Sequence, residues 1–398
     1  MPDHTNITLA IVGNYCSFQR LILNASLVTN WIYSVEESRQ QALLDSAFTY
    51  FPDAAIAAAV EIVNASSDIL PNVTVNIKRF SDCGAWYPNV LNDYGGASGG
   101  WASSVLYEDL VERHTDVIGI VSDEFSTTTV GPAQQMSLKR IPFCSGSAGS
   151  PRLSNRDKFP YFWRTLTALG VGEHVYQVLK YWNVSQVAII YQSDDELGSQ
   201  SAIDITRSIR TYGINIIVNI GLRSDVNKND VNNVAKALSV TTARYFILSG
   251  QSTFQSQIYE GLASFGFVSS AHVWMSYVPI DVTDPALQQG FILLQQPLPD
   301  QTTFQFTRFY EDYNRISGIN DSMSEYDVAI YVAPFFDCAM MMMIGFDQVL
   351  KVIPGATPTM LAERKLQEHM SYELFQNLGY SGLIENPVVL NEYGDLAS

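Results

Sequence analysis

Cysteine is scarce in this sequence of 398 residues: Cys16, Cys83, Cys144 and Cys338 are all it holds. Four cysteines in so long a chain do not make a disulfide scaffold. Basic residues are also few, 23 Lys and Arg against 40 Asp and Glu, for a net charge of −17. Such a surface repels phosphate backbones and anionic lipid, and no Lys/Arg cluster offsets it, so nucleic acid is excluded as a partner. The start, MPDHTNITLAIVG, has neither the basic residues nor the long apolar run of a signal peptide. Either a leader is not present in this chain or the chain is intracellular.

The signatures of catalysis are missing too. His4, His114, His174, His272 and His369 show no metal-ligand spacing. There is no G-x-S-x-G elbow and no Cys/His nucleophile pattern. The glycine-rich YGGASGGW at 94–101 lacks the Lys of a phosphate loop and the G-x-G-x-x-G order. It reads as a loop entering a helix. No metal, no cofactor and no enzymatic activity are expected.

One long apolar run stands out, EYDVAIYVAPFFDCAMMMMIGFDQVL at 325–350, with Asp337 the only charge between Val328 and Phe346. Its length approaches the roughly 20 residues of a membrane span. Asp337 sits in the middle, however, Pro334 interrupts the first half, and no basic flank sets an orientation. A helix apolar on nearly all sides is also what a large soluble core contains. The expectation is one buried helix beginning at Tyr326-Asp327, with Val328, Val332, Phe335, Met342 and Ile344 inside and Cys144 and Cys338 as buried thiols.

Short β-branched runs alternate with helical stretches along the chain. Ile7 to Val12, Val73 to Phe80, Val117 to Val121 and Ile141 to Cys144 read as strands, with helices over Ala54 to Val63, Trp101 to Arg113 and Ser126 to Arg140. The rhythm restarts with strands at Gln186 to Tyr191, Asn215 to Ile220, Tyr245 to Leu248 and His272 to Ser276. Helices at Gly170 to Trp182, Ser199 to Tyr212, Val231 to Leu238 and Thr253 to Phe265 separate them. Strands divided by helices of this length imply βαβ units. Two successive sets imply two doubly wound parallel-sheet lobes. Residues 13–50 fit poorly and read as an insertion with a helix near Glu36 to Phe48. A helix over Leu361 to Leu378 and a strand over Pro387 to Leu390 close the chain. Asn6, Asn24, Asn64, Asn72, Asn183 and Asn320 each open an N-x-[ST] glycosylation triplet, an excess over chance at this Asn content.

Phe159 to Gly198, FPYFWRTLTALGVGEHVYQVLKYWNVSQVAIIYQSDDELG, resembles the ligand-binding region of the type I periplasmic-binding-protein-like receptors. These include class C G-protein-coupled receptor ectodomains, natriuretic-peptide receptor cyclases and bacterial leucine/valine-binding proteins. ARYFILSG at 243–250, GLASFGFVSSAHVWMS at 261–276, the Tyr-Asp of EYDVAIYVAP and the closing GYSGLIENPVVLNEYGDLA continue the resemblance. It implies an α/β fold of two lobes with a ligand cleft between them: 5–162 as the first part of lobe 1, 163–296 as lobe 2 and 297–398 as the rest of lobe 1. Crossings fall near Tyr161 to Thr165 and Phe291 to Gln296, and a third crossing is expected to be missing. The first two strands are neighbours in that fold, which brings a Cys16–Cys83 disulfide into view.

The resemblance also implies a small-molecule or peptide ligand outside the strand ends. Ser126, Thr127 and Thr128, then Ser145 and Ser147, would line it from lobe 1. Gln192, Asp194 (or Asp195) and Tyr277 would do so from lobe 2. The same hydroxyls are equally capping and turn residues, and SDDEL reads equally as a solvated acidic loop. Amino-acid-binding relatives carry an acidic residue, an aromatic and a hydroxyl where this sequence has Leu169, Leu197 and Gly149. An α-amino acid in the usual pose is therefore not expected, since a buried ammonium needs a carboxylate. The function implied is the extracellular ligand-binding region of a cell-surface receptor that signals by lobe closure. A homo- or heterodimer would form through lobe 1, and the membrane would be reached only through a region absent from this chain. The rival expectation is a soluble transport-type solute-binding protein.

Overall fold

A computed structural model describes residues 4–13, 51–81, 108, 110–122, 125–168, 171–282, 284–287, 290–294, 300–317 and 325–397. Cys16, Cys83, Asn24, Asn320, Leu169, the insertion at 14–50 and the glycine-rich loop lie outside them. Two compact units emerge: residues 1–149, 153–167 and 298–398 form one, and 150–152 with 168–297 form the other.

The first unit is built on β1 (Thr5–Gly13), β2 (Val73–Ser81), β3 (Val117–Ser122), β4 (Phe143–Ser145) and β5 (Phe162–Arg164), in the order β2-β1-β3-β4-β5. All four pairings are parallel. Side chains alternate across a strand, so a sheet covered on both faces needs apolar residues at every position. TNITLAIVG supplies them. Ile7, Leu9 and Ile11 join one core, and Ala10 and Val12 the opposite one. The first core packs against α1 (residues 51–64), and the second against α2 (Ser126–Lys139).

The second unit repeats the plan with β6 (Gln186–Gln192), β7 (Asn215–Leu222), β8 (Tyr245–Ser249), β9 (Val273–Ser276) and β10 (Phe291–Leu293), ordered β10-β9-β8-β6-β7 and parallel throughout. Val187 and Ile189 face α3 (Val171–Tyr181) and α4 (Glu196–Thr211). Ala188 and Ile190 face α5 (Lys228–Ser239) and α6 (Ser252–Ala263). The two doubly wound parallel sheets expected from the alternation are present.

The chain then returns to the first unit through α7 (Phe304–Ser317), α8 (Glu325–Tyr331) and α9 (Ala333–Val352). The long apolar stretch is therefore two helices, not one. Val332 leaves helical geometry at φ −122°, and Pro334, which has no N–H to give, sits in the first turn of α9. Val328, Val332, Phe335 and Met342 are buried, and the four Met at 340–343 are all 6% exposed or less. Ile344 is only half-buried, contrary to expectation. Among the described residues no helix is long and apolar enough to cross a membrane.

Asp337 is fully buried in the first unit and explains the charge in mid-helix. Its carboxylate accepts from the Tyr380 hydroxyl at 2.8 Å, from Leu383 N at 2.8 Å and from Ile384 N at 2.8 Å. It ties α9 to the loop that follows Tyr380. Burial pushes its pKa up to about 6, against the lowering effect of these donors.

Three readings of the sequence are corrected here. Cys144 on β4 and Cys338 on α9 are not thiols but a disulfide, with Cα atoms 5.8 Å apart and both residues wholly buried. The helix over Leu361 to Leu378 is broken into α10 (Pro358–Ala362), a 3-10 turn at Gln367–His369 and the short α11 (Tyr372–Phe375). Arg364 adopts φ 57°, and its guanidinium donates to the carbonyls of Val117 (2.7 Å), His114 (2.8 Å) and Val111 (3.1 Å). Those carbonyls close the turn before β3, and satisfying them outweighs continuing a helix. Pro387 to Leu390 forms only an isolated bridge, Leu390 to Leu396.

Candidate functional site

The ends of parallel strands leave helix starts and turn residues on one rim, where ligands of open α/β sheets bind. In the first unit that rim follows β3 and β4, whose last residues, Ser122 and Ser145, are register partners. Ser126, Thr127 and Thr128 open α2 immediately beyond β3. The Thr128 hydroxyl is turned back into the chain and donates to the Phe125 carbonyl at 2.9 Å. Thr129 does the same at 2.8 Å. Ser126 is buried and Thr127 half-buried. Ser145 is fully buried, and its hydroxyl oxygen accepts from Ala148 N at 3.0 Å and Ser147 N at 3.2 Å, which shapes the SGSAG turn. Ser147 is exposed at its tip.

The rim of the second unit carries a continuous polar lattice over the ends of β6, β8 and β9. The Gln192 side-chain oxygen accepts from Gln251 N at 2.9 Å. Gln251 in turn donates from its side chain to Asp195 at 3.0 Å. Asp195 is the N-cap of α4 and accepts from Gly198 N at 2.7 Å, as a short acceptor at that position should. The Ser249 hydroxyl donates to the Gly198 carbonyl at 2.6 Å, which leaves the Tyr277 hydroxyl to donate to Ser249 at 2.7 Å. Burial pushes the Tyr277 phenol up to about 12, so it stays a donor at neutral pH. Gly198 permits this crowding: a Cβ there would lie 2.9 Å from the Gln192 carbonyl oxygen and 3.0 Å from the Gly250 Cα.

Asp194 lies outside the lattice. Its carboxylate accepts from Ser224 N at 2.9 Å and from the Ser224 hydroxyl at 2.8 Å, joining the loops after β6 and β7. Gln192 and Tyr277 are thus joined through Gln251, Asp195, Gly198 and Ser249, while Asp194 serves a different loop. Ser249, Gln251 and Asp195 complete the lattice.

Two open surface hollows lie elsewhere. One of about 790 Å³ borders β2 in the first unit and includes Asn6, Lys78 and Asp116. One of about 480 Å³ lies between α4 and β7 in the second unit. Neither is lined by a residue of the candidate site. Among the described residues, no three His, Cys, Asp or Glu converge as metal ligands.

The family model of the receptor family ligand binding region matches residues 51–398, which include both sheets except β1. The chain belongs to that family. It is a ligand-binding region of the type I periplasmic-binding-protein-like kind. Over 147 residues it is 31% identical to taste receptor type 1 member 3 of Canis lupus familiaris, a stretch that is 36% of this chain and 17% of that receptor. The chain therefore matches less than a fifth of that relative's length. A solved structure, an ABC transporter substrate-binding protein from Desulfitobacterium hafniense, superimposes with a TM-score of 0.64 over 99% of this chain and 95% of that one, at 12% identity. At that identity the likeness is one of fold. For this family member, rim residues at strand ends are where ligand recognition is sought first.

Proposed function

We propose that this chain is the extracellular ligand-sensing region of a cell-surface receptor, binding a small molecule or peptide between its two lobes. The similarity to a taste receptor carries this reading. The buried Cys144–Cys338 disulfide supports it, because such bonds persist in oxidising compartments. A ligand acts here by binding one arrangement of the lobes more tightly than another, the only way that binding can shift an equilibrium. Dimerisation through lobe 1 and a link to a membrane-borne effector belong to the same proposal.

The second-unit rim bears on ligand class. Asp194 holds Ser224 and Asp195 holds Gly198 and Gln251. Either carboxylate would meet an ammonium group only through the lone pairs that these donors leave. The ligand is one that does not require a carboxylate partner from this loop, which disfavours a free α-amino acid in the usual pose. Calorimetric titration and thermal shift against amino acids, neutral polar metabolites and short peptides test this. Stabilisation by a neutral or acidic class is expected. Tight binding of a free α-amino acid would overturn the ligand-class reading, and its loss in Asp194→Asn would show that this loop does supply a carboxylate partner; no stabilisation by any class would overturn the sensing reading.

The similarity of fold to a bacterial substrate-binding protein favours a second reading, a soluble transport-type binding protein. A full-length transcript encoding a seven-helix or cyclase region decides for the receptor; one ending with this domain decides for the carrier.

A further inference from the structure

Asn64 is the first residue of an N-A-S triplet and ends α1, yet its side chain is committed to the sheet. Its Nδ2 donates to the Val75 carbonyl at 2.9 Å, and its Oδ1 accepts from Val75 N at 2.8 Å. Val75 lies on β2, the edge strand of the first sheet among the described residues. Asn64 thereby closes an edge that would otherwise present free backbone groups. A side-chain amide that meets both groups of one residue must use the Nδ2 hydrogen on the same side as Oδ1.

That hydrogen is the one a glycan replaces. In N-glycosylation the Asn Nδ2–C1 bond forms, the C1–O bond to a lipid-diphosphate oligosaccharide breaks, Nδ2 gives up a proton and the lipid diphosphate leaves. The product is a secondary amide, planar and trans, so the sugar stands trans to Cβ and beside Oδ1. A glycan at Asn64 and the Asn64–Val75 pair exclude each other. The triplet's Ser66 hydroxyl is also engaged, accepting from Asp68 N at 3.1 Å and Ile69 N at 3.2 Å.

Asn72 and Asn183 are the opposite case. Both are exposed, and both sit in left-handed turns, at φ 62° and 55°. Asn tolerates that conformation, which projects the side chain outward. Among the described residues nothing hydrogen-bonds either side-chain amide. Thr74, whose exposed hydroxyl lies 3.3 Å from His4 Nδ1, and Ser185 supply the hydroxyl two positions on.

We propose that Asn72 and Asn183 carry N-linked glycans in the folded protein and that Asn64, despite its triplet, does not. This rests on the extracellular reading for its place in the native cell, but the geometry is testable apart from it. The full chain is secreted from a eukaryotic host, deglycosylated by an amidase in heavy-oxygen water and mapped by mass spectrometry. Labelled Asp is expected at 72 and 183, with unmodified Asn at 64. Thr74→Ala and Ser185→Ala should each remove one glycan from a chain that still secretes. Occupancy of Asn64 in the secreted, folded protein overturns the proposal, and so does an empty Asn72 or Asn183. A native chain that never enters the secretory route would sink the extracellular reading and leave the distinction at Asn64 standing.

Discussion

Removing the Asp395 carboxylate should unfold the first unit far more readily than its position near the end of the chain suggests. Arg164 on β5 and Asp395 are both wholly buried, with Arg164 Nε 2.6 Å from Asp395 Oδ1. Arg164 also donates to Ser154 Oγ at 2.7 Å, and the Ser154 hydroxyl donates to Asp395 Oδ2 at 2.7 Å. Backbone bonds from Arg164 N to Gly394 O (2.9 Å) and from Leu396 N to Leu166 O (3.1 Å) run alongside. The ion pair thus fastens the terminal segment to the strand that leads into the second unit. Asp395→Ala leaves a buried guanidinium without that carboxylate, a change that costs about 3–5 kcal/mol. With a urea dependence of about 3 kcal/mol per M, the midpoint should fall by roughly 1–2 M. Tryptophan fluorescence reads the transition, since Trp163 is buried beside Arg164. The double variant Arg164→Met with Asp395→Leu should lie closer to the wild type than Asp395→Ala, because neither charge then remains in the core. A midpoint for Asp395→Ala within about 0.3 M of the wild type would refute the reasoning.

Cys144→Ser with Cys338→Ser opens a link that spans 194 residues. Loop-closure entropy puts its contribution at about 5 kcal/mol, so the double variant should lose several kcal/mol in the same urea assay and become indifferent to reductant. Gly198→Ala forces a methyl against the Gln192 carbonyl and the Gly250 backbone. A loss of about 1–3 kcal/mol is expected, against near neutrality at an open glycine. Asp337 has a folded pKa of about 6, above the ordinary Asp value of 3.8. For a raised carboxyl the contribution is full below about pH 4 and is lost as pH rises through 6, about 3 kcal/mol in all. Urea midpoints from pH 4 to 8 should carry that component in the wild type, and Asp337→Asn should remove it.

Much of the fold was legible because parallel strands buried on both faces read as unbroken apolar runs, and VIGIV and QVAIIY could be little else. The failures were tertiary. Nothing local in CSGS or FFDCAM announces that Cys144 and Cys338 meet, because β4 and α9 are brought together only by the completed first unit. Helical spacing from Leu361 to Leu378 was genuine, but Arg364 gains three backbone carbonyls by leaving the helix. The long apolar stretch was rightly taken as core, while its break at Val332 was not foreseen despite Pro334 two residues on.

The candidate site shows the same division between what residue types announce and what neighbours decide. Gln192 and Tyr277 were legible as polar residues at strand ends. That they form one lattice with Ser249, Gln251 and Asp195 was not, because the lattice exists only where β6, β8 and β9 lie side by side. Its hydrogen bonds largely satisfy one another, so removing any member leaves a donor or acceptor unmatched. The rim is therefore a stiff platform before any ligand arrives. Recognition by a stiff platform draws on the donors still facing outward and on the shape they hold, and little ordering entropy opposes binding. Ser249→Ala and Gln251→Ala should then act on ligand affinity and on unit stability together, whereas Ser147→Ala, at an exposed turn tip, should leave stability within about 0.5 kcal/mol of the wild type. A Ser249→Ala variant that changes affinity with no change in urea midpoint would show that the lattice does not bear on the fold as the hydrogen bonds imply.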